Sequence, residues 1–132
     1  MTSTAPAPVI SIVDDDESVR LATELFMASL GYRTHLFSSA EEFLRSSRAE
    51  ETSCLIIDVQ MPEMDGIELQ AALKARGREI PTIFITAFPT EDIATRARAA
   101  GAVCFLTKPF KATALIGCIE SALEQGAGGG KT

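Results

Sequence analysis

A chain of 132 residues fits one domain with a single sizeable core. Its 46% hydrophobic and 23% charged residues are ordinary for a globular protein, and no apolar run approaches the length of a membrane span. Twelve Lys and Arg against eighteen Asp and Glu leave a net charge of −6, which disfavours direct binding to nucleic acid or to an anionic membrane. The N-terminus carries neither a basic region nor an apolar one of the secretory kind, so the cytoplasm is the default location. Cys54, Cys104 and Cys118 are scattered and odd in number. They read as small buried hydrophobes in a reducing compartment rather than as a disulfide framework or a zinc site.

Residues 1–8 (MTSTAPAP) are small, polar and proline-containing, and read as a loose leader. Val9 to Val13 reads as a buried first strand, ending in the carboxyl run Asp14-Asp15-Asp16-Glu17. Asp16 or Ser18 is placed to cap the first helix, one face of which is marked by Val19, Ala22, Phe26 and Leu30, with Gly31 at its end. Tyr32 to Phe37 is a more polar strand suited to a sheet edge. It holds the only histidine, His35, in no metal-ligand spacing and so read as a strand residue without a catalytic role. Ser38 or Ser39 starts a second helix with Phe43 and Leu44 facing inward and Glu41 and Glu42 in its first turn.

Cys54 to Asp58 is apolar on both faces until its last residue, as expected of a central parallel strand. Pro62, Asp65 and Gly66 then signal a turn, with Asp65 as the cap of a third helix carrying Ile67, Ala71 and Leu73. Ile80 to Thr86 is a fourth strand. Thr90 caps a fourth helix, with Ile93, Ala97 and Ala100 facing inward and Gly101 closing it. Val103 to Thr107 is a fifth strand, Lys108-Pro109 turns the chain, and Lys111 to Gln125 forms a last helix striped by Leu115, Ile119 and Ala122. Residues 126–132 are Gly-rich and read as a flexible tail. Their Gly-Lys-Thr ending is not a phosphate-binding loop, because Gln125 stands where that motif needs glycine and no helix can follow. Five strand–helix repeats with short connections indicate a single α/β domain over 9–125. Its parallel sheet would be covered by two helices on one face and three on the other.

In a parallel sheet every strand's C-terminal end lies on one edge, where open α/β folds place their ligands. The ends here supply Asp14 and Asp15, then Asp58, then Thr86 followed by Ala87, and finally Lys108. Each has an everyday reading: aspartates cap helices, a Lys before Pro is often a solvated turn residue, and Thr is a common strand residue. Together they are the equipment of phosphoryl transfer to a carboxylate. Three carboxylates invite a hard divalent cation, for which oxygen ligands suit Mg²⁺. Asp58 is then the nucleophile, and Lys108 and the Thr86 hydroxyl clamp phosphoryl oxygens.

The segments Ile12-Val13-Asp14-Asp15, Ile57 through Gly66, Ile85-Thr86-Ala87 and Phe105 through Phe110 carry a resemblance over nearly the whole chain. The protein resembles the receiver domain of bacterial two-component response regulators. The resemblance implies a flavodoxin-like doubly wound (βα)5 fold with strand order 2-1-3-4-5. It implies Asp58 as phosphoacceptor from a sensor histidine kinase or phosphotransfer protein. It implies Mg²⁺ on the Asp15 and Asp58 side chains and the Gln60 backbone carbonyl, with Asp14 acting largely through water. Thr86 and Lys108 would hold the phosphoryl group, and the Lys108-Pro109 bond would be cis. Movement of Thr86 toward the phosphoryl group would let Phe105 rotate inward. The fourth helix, fifth strand and last helix would then form a partner or homodimer face. Such a chain is a signalling phosphoacceptor, not a turnover enzyme.

Two other readings compete. Asp14-x-Asp16-x-Ser18 loosely resembles the nucleophile motif of haloacid-dehalogenase-like Mg²⁺ phosphatases, with Asp14 as nucleophile and Asp16 as acid–base, but this leaves Asp58 unexplained and finds no later acidic pair. The same fold could also serve as a phosphate-independent interaction module. A calcium loop at Asp14-x-Asp16-x-Ser18 lacks the following Gly and the distal Glu.

Overall fold

The structure, a computed structural model, describes residues 7–128. Five strands, β1 (Val9–Val13), β2 (Arg33–Phe37), β3 (Cys54–Asp58), β4 (Thr82–Thr86) and β5 (Cys104–Thr107), alternate with five helices, α1 (Glu17–Ser29), α2 (Ala40–Arg45), α3 (Gly66–Ala75), α4 (Glu91–Ala99) and α5 (Ala112–Gly128). The strands form one parallel sheet in the order β2-β1-β3-β4-β5. This is the expected fold class and strand order. A short 3₁₀ turn over Ser47–Glu51, which has no signature in the sequence, joins α2 to β3.

The strand sequences explain their positions. β1, β3 and β4 are buried along their whole length, as apolar runs in the middle of a covered parallel sheet must be. β2 is polar and partly exposed at the edge. Alternate residues of each inner strand serve opposite faces. Val13, Leu55, Ile57 and Phe84 pack with Phe43, Leu69, Leu73 and Ala97, from α2, α3 and α4. Ile10, Ile12, Ile56, Ile83 and Ile85 pack with Met27, Leu115, Ile119 and Ala122, from α1 and α5. The layers are therefore three helices and two, as expected.

Local chemistry sets the helix starts. Asp16 caps α1, Ser39 caps α2, and Thr90 caps α4. Asp65 and Glu68 form a reciprocal capping box at α3. Gly66, the first residue of α3, lies against the end of β3: a Cβ there would stand 2.7 Å from the Asp58 carbonyl oxygen and 3.2 Å from Ile57 Cγ1. Only glycine allows that approach.

Several expectations need correction. The buried face of α1 is Thr23 and Met27, whereas Ala22 and Leu30 are exposed. Val19, Ala22 and Phe26 instead line an apolar cleft against Pro109, Phe110 and Leu115. In α3, Ala71 is exposed, and the inner face is Ile67, Leu69, Gln70 and Leu73. Cys104 and Cys118 are not separate thiols: α5 crosses β5 closely enough, with Cα atoms 5.9 Å apart, to join them as a disulfide. Cys54 alone of the three is a free buried thiol, and burial pushes its pKa up to about 12. α5 runs to Gly128, past the boundary expected at Gln125. Of the expected leader and tail, residues 1–6 and 129–132 lie outside the described residues.

The close approach at Gly66 yields a prediction. Gly66→Ala should lower the unfolding free energy by about 1–3 kcal/mol, the usual cost of overpacking, as read by urea denaturation. An unchanged midpoint would mean that the α3 terminus shifts freely.

Candidate functional site

The C-terminal ends of β1, β3, β4 and β5 meet at one edge of the sheet, because β3 is flanked by β1 on one side and by β4, then β5, on the other. Asp58 is the last residue of β3 and retains only 7% exposure. Asp14 follows β1 and is 1% exposed, while Asp15 faces solvent. Carboxylate oxygens of Asp14, Asp15 and Asp58 lie within 4.8 Å of one another. Lys108 reaches in from the end of β5 and donates to Asp58 Oδ2 at 3.0 Å and to Asp14 Oδ2 at 3.3 Å. Its peptide bond to Pro109 is cis. Every strand-end residue named from the sequence is thus at this edge.

The Asp14 and Asp58 carboxylates are held in place. The Gln60 N–H donates to Asp58 Oδ1 at 2.9 Å, so the two Asp58 oxygens have different partners. The Asp16 N–H donates to Asp14 Oδ1 at 2.9 Å, and the Arg20 guanidinium donates to the Asp14 carbonyl at 2.6 Å. Asp16 turns away from the cluster: its Oδ1 accepts the N–H groups of Ser18 and Val19 as the α1 cap. That employment disfavours Asp16 as an acid–base group of a phosphatase and leaves Asp14 and Asp15 as the members of the carboxyl run that join Asp58.

Thr86 is fully buried at the end of β4. Its hydroxyl donates to Gln60 Oε1 and accepts the Phe88 N–H at 3.1 Å. Gln60 Nε2 in turn donates to the Phe88 carbonyl at 3.3 Å. The Gln60 side chain had no expected role, only its backbone carbonyl, and no sequence pattern distinguishes it. The same holds for Arg20. Phe105 is half-buried on β5 and packs against the cluster containing Phe84 and Ala97.

Comparison with known proteins agrees with this geometry. The family described as response regulator receiver domain matches residues 10–120. The response regulator protein TodT of Pseudomonas putida is 44% identical over 118 residues, covering 89% of this chain and 52% of TodT. The transcriptional regulatory protein FixJ of Bradyrhizobium diazoefficiens is 36% identical, covering 88% of this chain and 57% of FixJ. The solved structure of the response regulator StyR superposes with a TM-score of 0.85 at 42% identity, covering 92% of this chain and 62% of that one. The chain spans about half the length of the curated relatives it matches.

The charges of the site bear on stability. Burial pushes the Asp14 carboxyl above the ordinary carboxylate range, and the Asp58 charge adds to this. The Asp16 N–H and Lys108 offset only part of it. Burial works against the Lys108 charge, yet the hydrogen bond and charge of Asp58, with those of Asp14, hold its pKa above the usual lysine value. A carboxyl raised in the fold favours the folded state below the unfolded pKa of 3.8 and loses that contribution as pH rises through its folded value. Asp14→Asn should therefore stabilise the metal-free protein at pH 7, with the gain shrinking toward pH 3. Thermal melts across that range read the difference, and a variant less stable at pH 7 would contradict it.

Proposed function

This chain belongs to the response regulator receiver domain family, and from that premise we propose that Asp58 is its phosphoacceptor, charged by the histidine of a sensor kinase or phosphotransfer protein. The observation that carries the proposal is the nearly buried Asp58 carboxylate, paired with Lys108 and facing Asp14 and Asp15. In the transfer, an Asp58 carboxylate oxygen attacks phosphorus. The O–P bond forms as the N–P bond to the donor imidazole breaks, and the leaving nitrogen takes up a proton. Lys108 is already within hydrogen-bond distance of the acceptor and would follow the new negative charge.

The donor set fits Mg²⁺. It is all oxygen, it gathers three carboxylates with one ammonium as partner, and Asp15 stays open to solvent. Asp15 and Asp58 would hold the ion directly, with the Gln60 carbonyl, and Asp14 largely through water. When bound, Mg²⁺ neutralises the cluster and draws charge from phosphoryl oxygens.

The output is proposed to travel through Thr86 and Phe105 to the face formed by α4, β5 and α5. Thr86 pairs in register with Thr107 and Phe84 with Phe105, so movement at the end of β4 bears on the β5 aromatic. That face would contact a partner or a second copy of the chain. The chain acts as a signalling phosphoacceptor, and its net charge of −6 favours proteins over nucleic acid as its direct partners. Among the described residues no helix is long and apolar enough to cross a membrane.

Incubation with Mg²⁺ and acetyl phosphate should add one phosphoryl group by intact mass, and Asp58→Asn should take none. Stoichiometric labelling of the variant would refute the assignment. Mg²⁺ should also raise the melting temperature by mass action, and Asp15→Asn should lose most of that response. An undiminished shift in the variant would place the ion elsewhere.

A further inference from the structure

The hydroxyl of Thr86 has one proton, and in this structure it is committed to Gln60 Oε1. The same hydroxyl accepts the Phe88 N–H at 3.1 Å, and the Gln60 amide donates back to the Phe88 carbonyl at 3.3 Å. The three residues form a closed ring that ties the loop after β3 to the loop after β4. The Gln60 backbone N–H meanwhile holds Asp58 Oδ1 at 2.9 Å. One residue thus contacts the phosphoacceptor through its main chain and Thr86 through its side chain.

We propose that the Gln60 side chain is a latch: it holds Thr86 in the resting arrangement, and its release sets the free-energy cost of switching. The proposal rests on Asp58 as phosphoacceptor. A hydroxyl cannot donate one proton to Gln60 and to a phosphoryl oxygen at once, so the Thr86–Gln60 bond must break when Thr86 engages the phosphoryl group. Breaking it also opens the ring at Phe88 and frees the loop leading into α4. The two sides of the exchange are unequal. Gln60 is partly exposed, so its released amide can turn to water, whereas Thr86 is fully buried and has to find its new acceptor inside the site. Removing the Gln60 acceptor therefore weakens the resting state and leaves the engaged state nearly unchanged. Gln60 is a positioning residue here; its side chain acts through Thr86.

The test is the affinity for beryllofluoride in the presence of Mg²⁺, a stable phosphoryl mimic, read by titration. Gln60→Leu should bind it about three- to tenfold more tightly than wild type, the worth of one net hydrogen bond. Gln60→Ala should behave alike. In free Gln60→Leu, the amide resonances of Thr86 and Phe88 should shift toward their beryllofluoride-bound positions. In a Thr86→Val background, which lacks the donated proton, Gln60→Leu should have no further effect on affinity. Unchanged affinity in both Gln60 variants, or an equal gain in the Thr86→Val background, would overturn the latch while leaving Asp58 in place. If wild type does not bind beryllofluoride, or Asp58→Asn binds it equally well, the phosphoacceptor reading fails and the latch with it.

Discussion

The structure turns on one electrostatic constraint: three carboxylates drawn together at a sheet edge against a single ammonium. Two of them, Asp14 and Asp58, are almost wholly removed from water. Charges so placed are costly unless paired, and Lys108 bridges both from a strand two places away from β3. The fold supplies the rigidity. β1, β3 and β4 are buried throughout and hydrogen-bonded on both edges, so the strand ends cannot drift apart to relieve the repulsion. The residual imbalance shows in Asp14, whose carboxyl is raised by burial and by its neighbour Asp58. A site left short of positive charge in this way is suited to a divalent cation.

The backbone around the site is organised for the same end. Gly66 lets α3 begin directly against the Asp58 carbonyl, and the Asp65–Glu68 capping box anchors that start. The loop after β3 is thereby held short and close. Gln60 sits in it, between the Asp58 carboxylate and the loop leading to α4. Asp58 and the loop beyond Thr86 are therefore adjacent in space through one residue, Gln60, whose main chain meets the first and whose side chain meets the second.

The remaining surface divides in two. On the α1 side, Val19, Ala22 and Phe26 line an apolar cleft that Lys108 and Phe110 also border. On the other, β5 is only partly covered, with Phe105 half-buried and Cys104 bonded to Cys118 across to α5. The disulfide ties α5 to the edge strand that carries the aromatic residue.

Much of this was legible in the sequence because it is written in local pattern. Apolar runs ending in Asp14, Asp58, Thr86 and Lys108 specify both the strands and the edge at which the polar residues gather. Asp65, Thr90 and Gly101 mark helix ends through short-range hydrogen bonds and backbone conformation, and those positions hold. What tertiary structure alone decided are matters of rotation and side-chain reach. The buried face of α1 lies on Thr23 and Met27, and not on Ala22 and Leu30, because the helix rolls to pack on β1 and β2 rather than to bury every apolar residue it carries. Cys104 and Cys118 looked independent because only the packing of α5 on β5 brings them together. Gln60 looked like any loop residue, since a glutamine's partners depend on where a second loop, 28 residues away, happens to pass. Periodicity and caps determine which elements form and where their ends meet. Contacts between side chains distant in sequence depend on helix roll and loop path, which no local pattern encodes.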